Sequence, residues 1–208
     1  MEELIEKYPY DSMEEKNLFQ YLVKMNKFYN NSIRQKIKFK GKKVDFGRYT
    51  IDVNGAKIFS QFIHLSSFSE KDKNFYIPKP CENFNYNLFC KNCIDKTYTL
   101  KHNNEDRAIC IYRISLLKLF KQIFFNINNG IMNHIDIYEE KIFVNSKCKK
   151  ENFVHIRYND EKLYYYIKLK EIEDTIRGNY YSIFCAFPVF NEYKKRELDR
   201  IFNKVKRN

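Results

Sequence analysis

Tryptophan is absent from this 208-residue chain, and glycine occurs only five times. None of those glycines falls in a G-x-G-x-x-G or G-x-x-x-x-G-K-[S/T] pattern, which removes the usual sequence grounds for a dinucleotide enzyme or a P-loop NTPase. Long apolar runs are missing too. No stretch approaches the roughly 20 residues that a membrane helix needs, so no membrane partner is expected. The opening residues, MEELIEKYPYDSMEEK, are acidic and polar and do not read as a secretory leader. The expected location is cytoplasmic. In that compartment the six cysteines argue against a disulfide framework and leave metal binding or free thiols.

Cations and single-ring aromatics are abundant. Lysine and arginine total 38 against 26 acidic residues, a formal net charge of +12, with 17 Tyr and 19 Phe. Such an excess suits a polyanionic partner, nucleic acid first. Aromatic rings beside cations can stack bases, although most of these rings are expected in the core.

The clearest pattern runs from Phe153 to Phe190 and reads as three strands. Val154, Ile156 and Tyr158 alternate with Phe153, His155 and Arg157. Leu163, Tyr165, Ile167 and Leu169 alternate with Tyr164, Tyr166, Lys168 and Lys170. A third run alternates from Tyr180 to Phe187. Period-two alternation of β-branched and aromatic residues marks a half-buried sheet. Turns are expected at Asn159-Asp160-Glu161 and Arg177-Gly178-Asn179.

Upstream, Ser12 with Glu15 forms a capping box for a helix over residues 12–30, with Leu18, Tyr21, Leu22, Met25 and Phe28 at helical spacing. Short β-like runs follow, with an Asn54-Gly55 hairpin signal. Lys36, Lys38, Lys40, Lys42 and Lys43 make a basic strand and turn, read either as a solvated edge strand or as phosphate contacts. His64, between apolar neighbours, reads as a core histidine before a catalyst. A second helix is expected from Asp106 to about Asn126, with Arg107 and Arg113 near its start, either solvated or flanking a phosphate-binding cleft. HIDIYEEKIFV reads as a strand and turn, and residues 191–208 as a basic helix that packs on the sheet.

Residues 70–105 are the least regular part and hold Cys81, Cys90 and Cys93. Cys90-x-x-Cys93 can chelate zinc, with Cys81 as a third thiolate and His102 or Cys110 as the fourth ligand. Buried thiols and redox chemistry are the other readings. A structural zinc is thus the one candidate cofactor; catalysis needs none. The natural boundary gives an accessory region over 1–89 and a main domain over 90–208.

From Cys90 onward the order is a helix with early arginines, β-turn-β, a hairpin, a final strand and a helix. With Cys90-x-x-Cys93, Arg107 to Ile114, and the Cys185–Val189 segment CAFPV, this order resembles phage-borne members of the barnase, EndoU, colicin and RelE-like nuclease superfamily. The resemblance covers roughly residues 90–200. It implies an α+β fold, with one or two helices packed on an antiparallel sheet of about four strands, here carrying an N-terminal helix-plus-hairpin extension. Cys185 and Phe187 stand where the family pattern has hydroxyl-bearing residues, so two phosphate-binding groups would be missing.

A metal-independent ribonuclease needs a base for the 2′-OH, an acid for the leaving oxygen and cations on the phosphate. His155 and Arg157 project from one strand face about 7 Å apart. With Arg107 they form the expected catalytic set. Arg113, Tyr164, Tyr166, Lys168 and Ser182 are the candidate substrate-binding residues. The expected activity is therefore a toxin-like or phage-borne endoribonuclease (a hydrolase in the broad sense), with nucleic acid, RNA favoured, as its partner and a protein partner or antitoxin as a further candidate. The alternatives are a non-catalytic nucleic-acid-binding protein, or a phage or plasmid inhibitor of a host protein.

Overall fold

The computed structural model describes residues 15–34, 36–69, 99–144, 149–160, 163–189 and 192–205. In chain order they form α1 (Glu15–Phe28), a π-helical turn (Tyr29–Arg34), β1 (Lys38–Phe39), β2 (Lys42–Asp45), β3 (Thr50–Val53), β4 (Ala56–Phe59) and α2 (Ser60–Ser66). There follow β5 (Ser67–Ser69), β6 (Thr99–His102), β7 (Glu105–Ile109), α3 (Ile111–Ser115) and α4 (Leu117–Asn128). The remainder is β8 (Ile135–Val144), β9 (Lys149–Asn159), β10 (Tyr164–Ile172), β11 (Tyr180–Pro188) and α5 (Glu192–Val205). Two compact units result: residues up to Ile33 with Gly47–Leu119, and Arg34–Phe46 with Phe120 onward. The expected boundary between residues 89 and 90 lies outside the described residues, as do Ser12, Cys81, Cys90 and Cys93.

In the first unit, α1 buries Tyr21, Leu22 and Met25, and the π-turn adds Tyr29 and Ile33. The wider turn lets Met25, Tyr29 and Ile33, each four apart, stay near one face. Asn26 joins this helix to the β3–β4 hairpin: its Oδ1 accepts from Phe59 N at 3.0 Å and its Nδ2 donates to Lys57 O at 3.1 Å. The hairpin turns at Asn54 and Gly55, both with positive φ (49° and 78°), as a primed turn requires. Strands β5, β7 and β6 form a second, antiparallel sheet in that order.

The helix expected from Asp106 is corrected here. Residues Glu105–Ile109 are a strand, because Asn103 and Asn104 (φ 52° and 59°) make a tight turn that folds β7 back along β6. Helix begins only after Cys110, whose backbone is extended and whose Sγ accepts from Arg113 N. Arg107 therefore sits on a strand.

The second unit holds a six-stranded sheet in the order β1-β2-β11-β10-β9-β8. The α+β class stands, but the sheet exceeds the four strands expected. Residues counted in the N-terminal extension supply β1 and β2, and β2 pairs parallel to β11 through Tyr181↔Val44 and Ser182↔Asp45. The sheet curls. A flat sheet would hold its outermost strands more than about 20 Å apart, yet Lys40, in the β1–β2 turn, forms an ion pair with Glu139 on β8. Lys42 binds Glu171 of β10 at 2.6 Å, and Asn152 donates to the other oxygen of Glu171 at 3.0 Å. These bonds hold the Glu171 carboxyl below its ordinary pKa, Lys42 first and Asn152 second.

One sheet face buries Val154, Ile156, Tyr158, Tyr165, Ile167 and Leu169. On the α4 side, the Phe120 ring lies 5.7 Å from Phe46 and the Phe124 ring 6.3 Å from Phe39. On the opposite face, Leu198 and Phe202 of α5 pack with Tyr164, Tyr166 and Val189. The sheet is thus covered on both sides at this end. The β10–β11 register shifts between Lys168 and Leu169, which leaves Phe184 as an extra residue on β11, 57% exposed.

Ile167, fully buried on an interior strand, tests what holds the sheet. Ile167→Ala is expected to lower the unfolding free energy by about 2–5 kcal/mol. Lys40→Ala, at an exposed ion pair, is expected to cost less than about 1 kcal/mol. Urea unfolding of the full chain measures both. A larger loss for Lys40→Ala would mean that the edge contact, rather than the core, maintains the curl.

Candidate functional site

Pairing of β8, β9 and β10 determines which predicted residues meet. The register sets Tyr138 opposite His155 and His155 opposite Lys168, and sets Asp136 opposite Arg157 and Arg157 opposite Tyr166. His155, Arg157, Tyr164, Tyr166 and Lys168 therefore share one sheet face, as the alternation predicts. That face is not open. His155 is 2% exposed, and Arg157, Tyr164 and Tyr166 are buried.

His155 lies in a chain of hydrogen bonds. Its Nε2 is 2.6 Å from Glu140 Oε1 and its Nδ1 is 2.7 Å from the Tyr166 hydroxyl. An ionised carboxylate only accepts. Nε2–H therefore donates to Glu140, and Tyr166 O–H donates to Nδ1. Burial pushes the imidazole pKa down, outweighing the raising effect of Glu140, with the Lys168 cation adding to the depression. The ring is a neutral bridge. Burial likewise pushes the Tyr166 phenol well above its ordinary range. The arrangement can align a proton path from tyrosine to carboxylate, and both imidazole nitrogens are committed within it.

Arg157 is the centre of a second group. Its Nε donates to Asp136 Oδ2 at 2.9 Å and its Nη1 to Asp199 Oδ1 at 2.7 Å, on α5. The Tyr164 hydroxyl donates to the same Asp199 oxygen at 3.0 Å. The Phe202 ring lies 4.6 Å from the guanidinium. Two carboxylates thus occupy the cation that was expected to meet phosphate. Lys168 lies 4.2 Å from the Phe153 ring, 5.5 Å from Phe184 and 3.9 Å from Glu140. Ser182 is half-buried on β11, opposite Lys170.

Arg107 and Arg113 belong to the other unit. Arg107 Nε donates to Ser67 Oγ at 2.8 Å and its Nη1 is 3.6 Å from Glu105. Arg113 Nη1 donates to Ser67 O at 2.6 Å, and its guanidinium stacks 3.7 Å over Phe68. The two arginines are brought together, around Ser67. His64 O accepts from Arg107, and the pKa of the His64 ring falls to about 4 through burial and the charges of Arg107 and Arg113. Of the proposed zinc ligands, Cys81, Cys90 and Cys93 lie outside the described residues. His102 is buried with its Nε2 against Ser60 Oγ, and Cys110 caps α3. Among the described residues no group of three or more His, Cys, Asp or Glu is arranged to hold a metal.

Glu140, Asp136 and Asp199 were absent from the expected site. The first two were readable: continuing the alternation through HIDIYEEKIFV places Asp136, Tyr138 and Glu140 on one face. Asp199 was not, because its role depends on where α5 docks.

Two outcomes follow from this chemistry. Arg157→Ala leaves Asp136 and Asp199 facing one another without their cation and is expected to cost about 3–5 kcal/mol in urea unfolding; a loss under about 1 kcal/mol would mean that the pair is effectively solvated. His64, His102 and His155 all have depressed pKa values. The unfolded chain therefore binds more protons below the ordinary histidine range, and stability is full above about pH 6.5 and lost as pH falls toward 4. Melting temperatures across that window measure it, and His64→Gln is expected to flatten the dependence.

The chain matches no protein-family model, no curated protein and no solved structure, so its chemistry is read from its own geometry.

Proposed function

We propose that this chain binds nucleic acid, with RNA the favoured partner, through cations on its surface rather than through the buried sheet face. The observation that carries this reading is the placement of charge. Arg157, Lys170 and Arg107 are neutralised internally by Asp136 and Asp199, by Glu151, and by Glu105. Lys36 and Lys38 are exposed along the β1–β2 edge of the sheet, beside Lys40 and Lys43, which are exposed but paired with Glu139 and Asp45, and Arg196 and Arg200 are exposed on α5. Among the described residues these exposed cations stand where a phosphate backbone can reach them.

The expected result is that affinity for a single-stranded RNA falls steeply as salt rises, with counterion release of about 0.7 per phosphate contact. Lys36→Gln with Lys38→Gln should weaken binding and flatten that salt dependence by about 1.4 units of slope, about 0.7 for each lysine. Absence of binding at low salt, or an unchanged slope in the variant, would overturn the reading. Recovery of a single protein partner without nucleic acid would favour an inhibitor of a host protein.

Metal-independent RNA cleavage is the second reading, and the Tyr166–His155–Glu140 chain is what favours it. For His155 to take a 2′-OH proton, Tyr166 must release Nδ1 and the cover over this face must open. Incubation with total RNA in the absence of metal tests this. New ends that disappear in His155→Gln while binding persists would establish cleavage, and no cleavage by the folded chain leaves the binding protein.

A further inference from the structure

The two edges of the six-stranded sheet differ. β1 is two residues long and is flanked by exposed lysines, which discourages pairing with a further strand. β8 runs for ten residues, Ile135–Val144, without a proline, and pairs with β9 in an unbroken register. Among the described residues no strand pairs with its outer side. Near its end Ile142 and Phe143 are 37% and 56% exposed. The longer edge thus presents open backbone groups and exposed apolar side chains together.

The phase of the β8–β9 pairing shows which backbone groups are open. Asn159 N donates to His134 O at 2.8 Å, and the register, continued by one residue, sets these two opposite one another. They are therefore a hydrogen-bonded pair, and such pairs recur every two residues. Asp136, Tyr138, Glu140 and Ile142 turn their N–H and C=O toward β9. Ile137, Glu139, Lys141 and Phe143 turn theirs outward.

We propose that two copies of this chain associate by antiparallel β8–β8 pairing, with Glu139 of each copy opposite Lys141 of the other. A two-fold axis normal to the sheet keeps each face continuous, so the register must be centred on a residue. Centring on Glu139 sets that acid against its own copy, and centring on Lys141 does the same to the cation. Centring on Glu140 sets the exposed Glu139 and Lys141 against one another twice. The same register sets Tyr138 opposite Ile142 and Ile137 opposite Phe143 of the second copy, so both exposed apolar side chains gain a cross-strand neighbour. Its hydrogen-bonded pairs fall on Glu139 with Lys141 and Ile137 with Phe143, the residues whose backbone groups are open. Glu140 meets its own copy on the axis, but its carboxylate is drawn inward, 2.6 Å from His155 Nε2 and 3.9 Å from Lys168 Nζ. The pairing rests on the sheet edge alone and does not depend on nucleic-acid binding.

Sedimentation velocity of the full chain, freed of nucleic acid, over a range of concentrations tests this. A concentration-dependent dimer is expected. Glu139→Lys and Lys141→Glu should each weaken self-association at least about tenfold, because each sets like charges opposite one another twice. An equal mixture of the two variants should recover the dimer, since their charges are complementary again. Hydrogen exchange of the wild-type chain needs no substitution: the amides of Ile137, Glu139, Lys141 and Phe143 should slow as concentration rises. A wild-type chain that stays monomeric overturns the proposal and leaves the edge to a strand of another protein. A dimer whose β8 amides do not slow, one that survives both single substitutions, or a mixture that does not recover it would overturn the proposal too, since the copies would then meet elsewhere or in another register.

Discussion

Burying a guanidinium under a helix demands carboxylates, and meeting that demand ties the C-terminal sheet to its cover. Arg157 on β9 takes one acid from β8 and one from α5, and Tyr164 on β10 donates to the second. Four elements thus converge on one group. The ion pairs need not add much net stability, because desolvation offsets most of their attraction. Their effect is on position. Once Arg157 is in place, α5 can dock only where Asp199 reaches it, and Leu198 and Phe202 are then set against Tyr164 and Tyr166. Displacing α5 would strand a buried charge, so the aromatic packing and the ion pairs stand or fall together.

The same demand explains why half of the expected site was legible and its state was not. Alternation correctly grouped His155, Arg157, Tyr164, Tyr166 and Lys168, since a period of two dictates faces. It carried no information on whether the polar face meets water or a helix. A histidine and an arginine on a strand face look identical in sequence when they await a substrate and when they are paired with Glu140 and Asp136. The acids that decide between these cases come from β8 and α5, remote in the chain.

Misread secondary structure has equally local causes. The β6–β7 turn uses Asn103-Asn104, a weaker signal than Asn-Gly, while Ile109, Tyr112 and Leu116 continue a helical stripe. The stripe extended the expected helix backward over what is strand β7. Likewise β1 and β2 are short and lysine-rich. Only Ile37, Phe39, Val44 and Phe46 reveal that this run is inserted into a core. By contrast, Asn54-Gly55, α1 and β9 to β11 were readable, because each carries its own signal within a few residues.

Three histidines illustrate how far geometry can discriminate where residue type cannot. His155 has both nitrogens committed and is bridged between a phenol and a carboxylate, an arrangement that fixes a tautomer. His64 is held neutral to about pH 4 by burial and two arginines, and so remains a poor base at neutral pH. His102 is buried with its Nε2 2.6 Å from the Ser60 hydroxyl. Chemistry requires a titratable group and access to it at once. Arg157 shows the complementary case for charge: a cation can be abundant in sequence and yet spent internally. Among the described residues the buried cations Arg157 and Arg107 are paired with carboxylates, and Lys36, Lys38, Arg196 and Arg200 lie at the surface.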